Sequence, residues 1–298
     1  MTIKDRQLPV KEKSMKVLEN EPLKKYTTFR MGGNAKKMYF PESIEELESL
    51  VKNDPDILKY VIGGGSNLII NDEREFDEVL CLREFNKDFS DKGNGRFYIG
   101  ASVRLQKAIK SVNAAGYGGM EFLFSVPGLI GGALYMNAGT GRKTGKYISD
   151  FVVSVDILKN GKIQTLQKNE CGYDFRTSVF QSYENCIILG GIFQFPEMSA
   201  EEAQKGINDR LELCKKTQDM SYPNFGTVFC VSNTRIMEYF CKHHIGFKNG
   251  CTYSPIRKNW MLNREEGTFK QAVKLLDKVK RMHKLFRKEC KCEVRIWE

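Results

Sequence analysis

Glycine gathers in this chain at three places where the backbone must turn sharply and nothing can project: Gly32-Gly33, Gly63-Gly64-Gly65, and a longer stretch from Gly128 to Gly139. The second lies between two apolar runs, Tyr60 to Ile62 and Asn67 to Ile70, so it reads as a turn joining two buried strands. Backbone without side-chain bulk brings successive N–H groups close to an anion, and Ser66 and Asn67 add side-chain donors there. The third stretch, Ser125-Val126-Pro127-Gly128-Leu129-Ile130-Gly131-Gly132-Ala133, leads into Met136-Asn137-Ala138-Gly139. Its small residues leave room for a flat ring system or a diphosphate to lie against main chain. Neither GxGxxG nor the GxxxxGK-Ser/Thr motif occurs, which disfavours a Rossmann dinucleotide site and a P-loop nucleotidase. The clusters ask for a phosphate-bearing ligand without naming it.

Composition narrows the class. The 298 residues suffice for two or three domains, and 41% hydrophobic with 28% charged residues is a globular balance. No apolar run approaches the ~20 residues of a membrane span, and the charged stretch Met1 to Lys16 lacks the apolar segment of a secretory signal. Nine cysteines, scattered without a CxxC, fit a reducing cytoplasm and free thiols. Cys241, His243, His244 and Cys251 lie close together, but their spacing matches no structural zinc pattern, and no metal is expected. The net charge is +10. Between Lys270 and Lys291, Val273, Leu276, Val279, Met282, His283 and Phe286 recur at helical spacing with lysines and arginines between them. This reads as an amphipathic helix with a solvated basic face, and such a surface can steer a diphosphate. No nucleic-acid motif with interleaved aromatics accompanies it.

Helices are predicted over Glu42 to Lys52 with Ser43 as cap, over Leu105 to Ala115, and over Ser199 to Lys216 with a Ser199–Glu202 capping box. Strands are predicted at Glu78 to Leu82, Phe97 to Ile99, Phe151 to Leu158, Ile163 to Leu166 and Cys186 to Phe195. Asn160-Gly161 is the strongest hairpin signal. Regular βαβ alternation is missing, so the class is α+β, with a domain boundary expected near Pro196 where helix replaces strand.

Glu21-Pro22-Leu23, Tyr26-Thr27-Thr28-Phe29-Arg30-Met31-Gly32-Gly33, Gly63 to Leu68 and Pro127 to Gly139 follow one another in an order that resembles the UDP-N-acetylenolpyruvoylglucosamine reductase family over almost the whole chain. Gly172-Tyr173-Asp174-Phe175-Arg176-Thr177-Ser178 looks like that family's catalytic-arginine motif, and the short interval from Ser178 to Ile187 is similar to its compact second type. The resemblance implies an α+β chain with an FAD-binding fold of the vanillyl-alcohol-oxidase type. Two α/β subdomains would cover residues 1–78 and 79–196, and an α+β substrate domain residues 197–298, its last strand near Glu293 returning to the active site. FAD and NADPH are the implied cofactors. UDP-N-acetylglucosamine enolpyruvate is the implied UDP-sugar substrate, reduced to UDP-N-acetylmuramate for peptidoglycan. A cytoplasmic monomer without nucleic-acid or membrane partners is expected.

By the same resemblance, Arg30, Gly63, Gly64, Gly65, Ser66, Asn67 and Leu68 would hold FAD from one side. Ser125, Pro127, Gly128, Ile130, Gly131, Gly132, Ala133, Asn137 and Ala138 would flank it from the other. Arg176 would stabilise an enolate-like species, Thr227 would protonate carbon, and Glu293, in its protonated form, would polarise the substrate carboxyl. Lys216, Arg257, Asn259 and Arg295 would contact substrate. Thr227 stands where the family usually has serine, in Pro223-Asn224-Phe225-Gly226-Thr227-Val228-Phe229, and Phe225 replaces a small residue. Val231, Thr217 and Arg257 replace an asparagine, a lysine and a histidine, the last within Ser254-Pro255-Ile256-Arg257-Lys258-Asn259-Trp260. These departures all lie in the implied substrate domain. Two other readings keep the flavin: a paralogue acting on another nucleotide-linked substrate, and a flavin-binding protein without turnover.

Overall fold

A mixed sheet opens the fold. The computed structural model describes residues 15–141, 144–265 and 267–298. Its first strands are β1 (Lys16–Pro22), β2 (Asn34–Phe40), β3 (Val61–Ile62), β4 (Leu68–Ile70) and β5 (Glu75–Cys81). They form a sheet in the order β1-β2-β5-β3, antiparallel at β1–β2 and parallel at the other two pairings, with β4 outside it. Helix α1 (Ile44–Asn53) starts where expected, with Ser43 Oγ accepting from the Glu46 N–H at 3.2 Å. It buries Leu47 and Val51 against Leu80 and Leu82 and, from the next unit, Leu158, Ile187 and Leu189. This apolar seam joins the first two units.

The second unit is an antiparallel sheet of β6 (Phe89–Gly93), β7 (Arg96–Gly100), β8 (Val152–Lys159), β9 (Lys162–Gln167) and β10 (Cys186–Gln194), in the order β6-β7-β10-β8-β9. Asn160 and Gly161 both have positive φ (51° and 70°), the two-residue turn that matches strand twist, and Lys159 pairs with Lys162 across it. Helices α2 (Leu105–Ala114), α3 (Ile130–Tyr135) and α4 (Ala200–Thr217) accompany this sheet. Ile109 and Val112 of α2, Ile130 and Leu134 of α3, and Ile207 of α4 share its core.

The third unit contains β11 (Asn224–Thr227), β12 (Phe229–Val231), α5 (Thr234–Lys242), β13 (Cys251–Tyr253), β14 (Trp260–Asn263), α6 (Phe269–Leu285), β15 (Lys291–Cys292) and β16 (Arg295–Trp297). Strands pair as β11-β14-β13 and as β12-β15, while β16 leaves the unit and adds in parallel to β4 through Arg295↔Leu68, Ile296↔Ile69 and Trp297↔Ile70.

Packing moves both expected boundaries. β5 runs through residue 78 to Cys81 as one strand paired to β2, so the first break falls beyond it. Helix α4, expected with the substrate domain, inserts Ile207 into the second core, so that division follows Thr217 rather than Pro196. Helix α6 ends at Leu285, short of the expected Lys291. Its buried face is Ala272, Leu275, Leu276, Val279 and His283, whereas Phe286 is 55% exposed. Cys241 Sγ donates to the Pro255 carbonyl at 3.2 Å, and the His243 ring packs on Tyr239. Among the described residues, no three His, Cys, Asp or Glu are placed to hold a metal, and no helix is long and apolar enough to cross a membrane.

Candidate active site

The two long glycine stretches face each other. A Cβ on Gly64 would stand 3.2 Å from Gly128 Cα, and one on Gly128 would meet Ser66 Oγ at 3.6 Å. Gly65, at φ +66°, lies so close to the preceding loop that a Cβ would fall 1.8 Å from the Tyr26 carbonyl oxygen. No other residue fits there. Toward the remaining side the loops are open: a Cβ on Gly132 would find no atom within 4 Å, and one on Gly63 only Leu129 at 3.9 Å. Beside the cleft, Thr28 Oγ1 is buried without a partner while its N–H donates to Gly65 O at 2.9 Å. A bare-backbone cradle with an unanswered hydroxyl fits a dinucleotide flavin carrying a diphosphate. Arg30, also at positive φ (54°), is exposed, and its carbonyl and that of Phe29 accept from Asn263 Nδ2.

Several side chains expected at the cofactor have partners within the protein. Asn67 Nδ2 donates to the Glu293 carbonyl at 2.9 Å, and its own carbonyl accepts from Arg295 N–H at 3.1 Å. Asn137 is buried; its Nδ2 donates to Asp174 O and its Oδ1 accepts from Ser149 N–H. Ser125 Oγ is engaged by Arg210 Nε of α4 at 2.7 Å.

Arg176 and Glu293 come from different elements and meet, while Thr227 lies one residue before the backbone that Glu293 bonds. Arg176 sits in a tight turn in which Asp174 and Thr177 exchange backbone hydrogen bonds, at φ +56°. A non-glycine residue holds that conformation only where its surroundings fix it. Here Gln181 Nε2 donates to both Arg176 O and Tyr135 O, Ser178 Oγ donates to Tyr135 O at 2.6 Å, and Arg176 Nη2 donates to Gly139 O at 2.9 Å. The guanidinium Nε then lies 3.7 Å from Glu293 Oε2. Glu293 N–H donates to the carbonyl of Val228, the residue after Thr227, at 3.0 Å. Burial pushes the Glu293 carboxyl above the usual glutamate range, and the Arg176 charge only partly opposes it.

The residues implied for substrate are spread more widely. Arg295 lays its guanidinium over the Tyr135 ring at 5.3 Å and hydrogen-bonds the Tyr135 hydroxyl. Asn259, at φ +65°, gives its amide to the Phe229 backbone, accepting from N–H at 3.0 Å and donating to O at 2.7 Å. Lys216 is exposed in the last turn of α4, 3.8 Å from Glu212, and Arg257 is exposed with its N–H on Ser254 Oγ.

Sequence reasoning passed over Arg83 and Gln181. Arg83 donates through Nε to Gly63 O (3.2 Å) and through Nη2 to Tyr26 O (2.6 Å) and Gly64 O (3.3 Å), with its guanidinium over the Tyr26 ring. A peptide's N–H and C=O point in opposite directions, so carbonyls turned to Arg83 leave the loop's donors free to face the cleft. Nothing local marks an arginine for this role, because its partners are carbonyls about twenty or more residues away. Gln181, by contrast, lies within five residues of Arg176 and was open to a closer reading of that motif.

The family described as FAD binding domain matches residues 35–167. A UDP-N-acetylenolpyruvoylglucosamine reductase of Bacillus velezensis is 30% identical over 276 residues, covering 89% of this chain and 88% of that protein. One of Petrotoga mobilis is 29% identical, with all of both chains covered. The crystal structure of UDP-N-acetylenolpyruvylglucosamine reductase from Thermus caldophilus superposes with a TM-score of 0.77 at 22% identity, over 95% of this chain and 99% of that one. That likeness establishes a shared fold.

Proposed function

The chain belongs to the UDP-N-acetylenolpyruvoylglucosamine reductase family, and on that premise we propose that Arg176, Thr227 and Glu293 carry its chemistry beside FAD held between the glycine loops. The protein is an FAD-dependent, NADPH-using oxidoreductase that converts UDP-N-acetylglucosamine enolpyruvate to UDP-N-acetylmuramate, a peptidoglycan precursor. We assign the backbone of Gly63 to Ser66 and of Gly128 to Ala133 to the cofactor. Bound FAD supplies hydride transfer, from NADPH to the terminal carbon of the enolpyruvyl ether.

Charge then builds on the neighbouring carbon and its carboxylate. A fixed guanidinium at Arg176 faces that charge without having to reorganise, usually the largest single contribution to catalysis. Glu293, whose carboxyl burial shifts toward the neutral form, would in that form offer a proton in a hydrogen bond to the substrate carboxyl. Thr227 delivers its hydroxyl proton to carbon as general acid. Lys216, Arg257 and Arg295 are the side chains we assign to the UDP-sugar, with Asn259 holding the Phe229 backbone rather than contacting substrate through its amide, and we place the enzyme in the cytoplasm as a monomer.

The observation that supports these roles is the convergence of Arg176 and Glu293 at 3.7 Å next to the segment that bears Thr227. NADPH consumption that depends on UDP-N-acetylglucosamine enolpyruvate tests them. FAD-loaded protein that leaves NADPH untouched in its presence would overturn the assignment.

A further inference from the structure

We propose that Asp219 is a positioning residue for proton delivery by Thr227, acting through Ser254 and Asn259, an inference that rests on the reading of Thr227 as the donor. Asp219 lies in the turn between α4 and β11, is 1% exposed, and takes no part in the chemistry outlined above. Its Oδ1 accepts from Ser221 N–H at 3.1 Å and from Ser221 Oγ at 2.5 Å. Its Oδ2 accepts from Ser254 Oγ at 2.6 Å, and its carbonyl from Asn224 Nδ2 at 3.3 Å. Burial pushes this carboxyl up, but the hydrogen bonds from Ser221 and Ser254 outweigh it and hold it below the ordinary aspartate range.

Ser254, itself fully buried, makes an acceptor at that position obligatory. Its oxygen already takes the N–H groups of Ile256 (3.1 Å) and Arg257 (2.9 Å). A hydroxyl has two lone pairs and one proton, so only the proton remains to be placed. The ionised carboxylate of Asp219 accepts it, and the loop from residue 254 to 260 is thereby fixed at its start.

The far end of that loop grips the donor segment. Asn259 O accepts from Val228 N–H at 2.9 Å, and its side-chain amide brackets the Phe229 backbone. Trp260 pairs directly with Thr227 in β14–β11, and Trp260 O accepts from Ser254 N–H at 2.9 Å. From the other side, Asn224, tied to the Asp219 carbonyl, accepts from Gly226 N–H at 3.1 Å. Asp219 is therefore tied to both flanks of Thr227, through its carboxylate on the Ser254 side and through its backbone carbonyl on the Asn224 side, and the aim of a hydroxyl is what general-acid catalysis depends on.

Asp219→Asn tests this on the full-length, FAD-loaded protein. Turning the amide oxygen to Ser254 sets its NH₂ against the Ser221 N–H; the reverse sets NH₂ against a hydroxyl with no free lone pair. Ser254→Ala is the second variant and removes the link without adding a donor. In stopped-flow measurements, reduction of the flavin by NADPH should stay within about twofold of wild type while substrate reduction falls ~10- to 100-fold, the scale of a misplaced catalytic group. The solvent deuterium isotope effect on substrate reduction should grow. Asp219→Asn combined with Thr227→Ala should be no slower than Thr227→Ala alone, because the two act at one step. Equal losses in both half-reactions, an unchanged substrate step in both variants, or multiplicative losses in the double variant would overturn the proposal. A silent Thr227→Ala would instead remove the donor reading beneath it.

Discussion

Arg176 and Glu293, which belong to the second unit and to the segment joining β15 to β16, stand 3.7 Å apart, Nε to Oε2, although more than a hundred residues of chain separate them. The pair is close enough for charge to matter and largely sheltered from water. Desolvation nevertheless dominates at Glu293, so folding favours its neutral form.

The pH consequence has a definite sign. Because the folded-state pKa of Glu293 is raised, its contribution to stability is fully present below the unfolded glutamate value of about 4.3 and is lost as pH rises through the folded value. Glu293→Gln should therefore match wild type in stability at acidic pH and exceed it near about pH 8, while turnover drops ~100-fold or more. Denaturant unfolding across that pH range checks the first part and steady-state kinetics the second.

Thr227→Ala should slow substrate reduction by ~100-fold or more, the size of a general-acid contribution. Reduction of the flavin by NADPH, which precedes that proton transfer, should change little. Thr227→Ser, which keeps the hydroxyl and frees χ1, should retain the substrate step. Rapid-mixing absorbance of the flavin separates the two half-reactions.

Arg83→Met should weaken FAD binding by ~10-fold or more, equivalent to about 1.4 kcal/mol, since the carbonyls of Gly63 and Gly64 in the proposed cofactor loop, and that of Tyr26 beside it, lose their donor. Arg83→Lys keeps the charge but not the planar fork and should fall between. Calorimetric titration of apoprotein with FAD gives the affinities. Titration with ADP tests whether the loss follows the diphosphate.

Gly132 separates fold from cofactor. Its Cβ direction is empty and it lies within α3, so Gly132→Ala should leave the apoprotein as stable or firmer by about 0.5–1 kcal/mol. The open space beside it is the side we assign to the cofactor, and on that assignment the added methyl should lower FAD affinity. Gly65→Ala has no such freedom against the Tyr26 carbonyl and should destabilise apoprotein and holoprotein alike. Thermal melts with and without FAD distinguish the two variants.

What the sequence made legible was local. The glycine loops, the Ser43 and Ser199 caps and the Asn160-Gly161 turn each declare a backbone constraint within a few residues. β2 escaped notice because Lys36 and Lys37 are exposed in succession and break the alternation, and β1 because it is a mostly exposed edge. The apolar stripe of α6 was read a fraction of a turn off: Ala272 and Leu275 face inward where Phe286 was expected. At the site, residue types were legible but not directions. Asn67, Asn137 and Asn259 carry amides suited to a ligand, yet each is occupied by remote main chain whose proximity no local pattern reports.

Asn67 has a wider consequence. Its side chain and its carbonyl clasp residues 293 and 295 on either side of Val294, so the turn we assign to the flavin and the acid we assign to the substrate are tied by two hydrogen bonds. Under those assignments, a change that loosens the glycine turn should also shift the acid, so grip on the coenzyme and aim at the substrate should fail together.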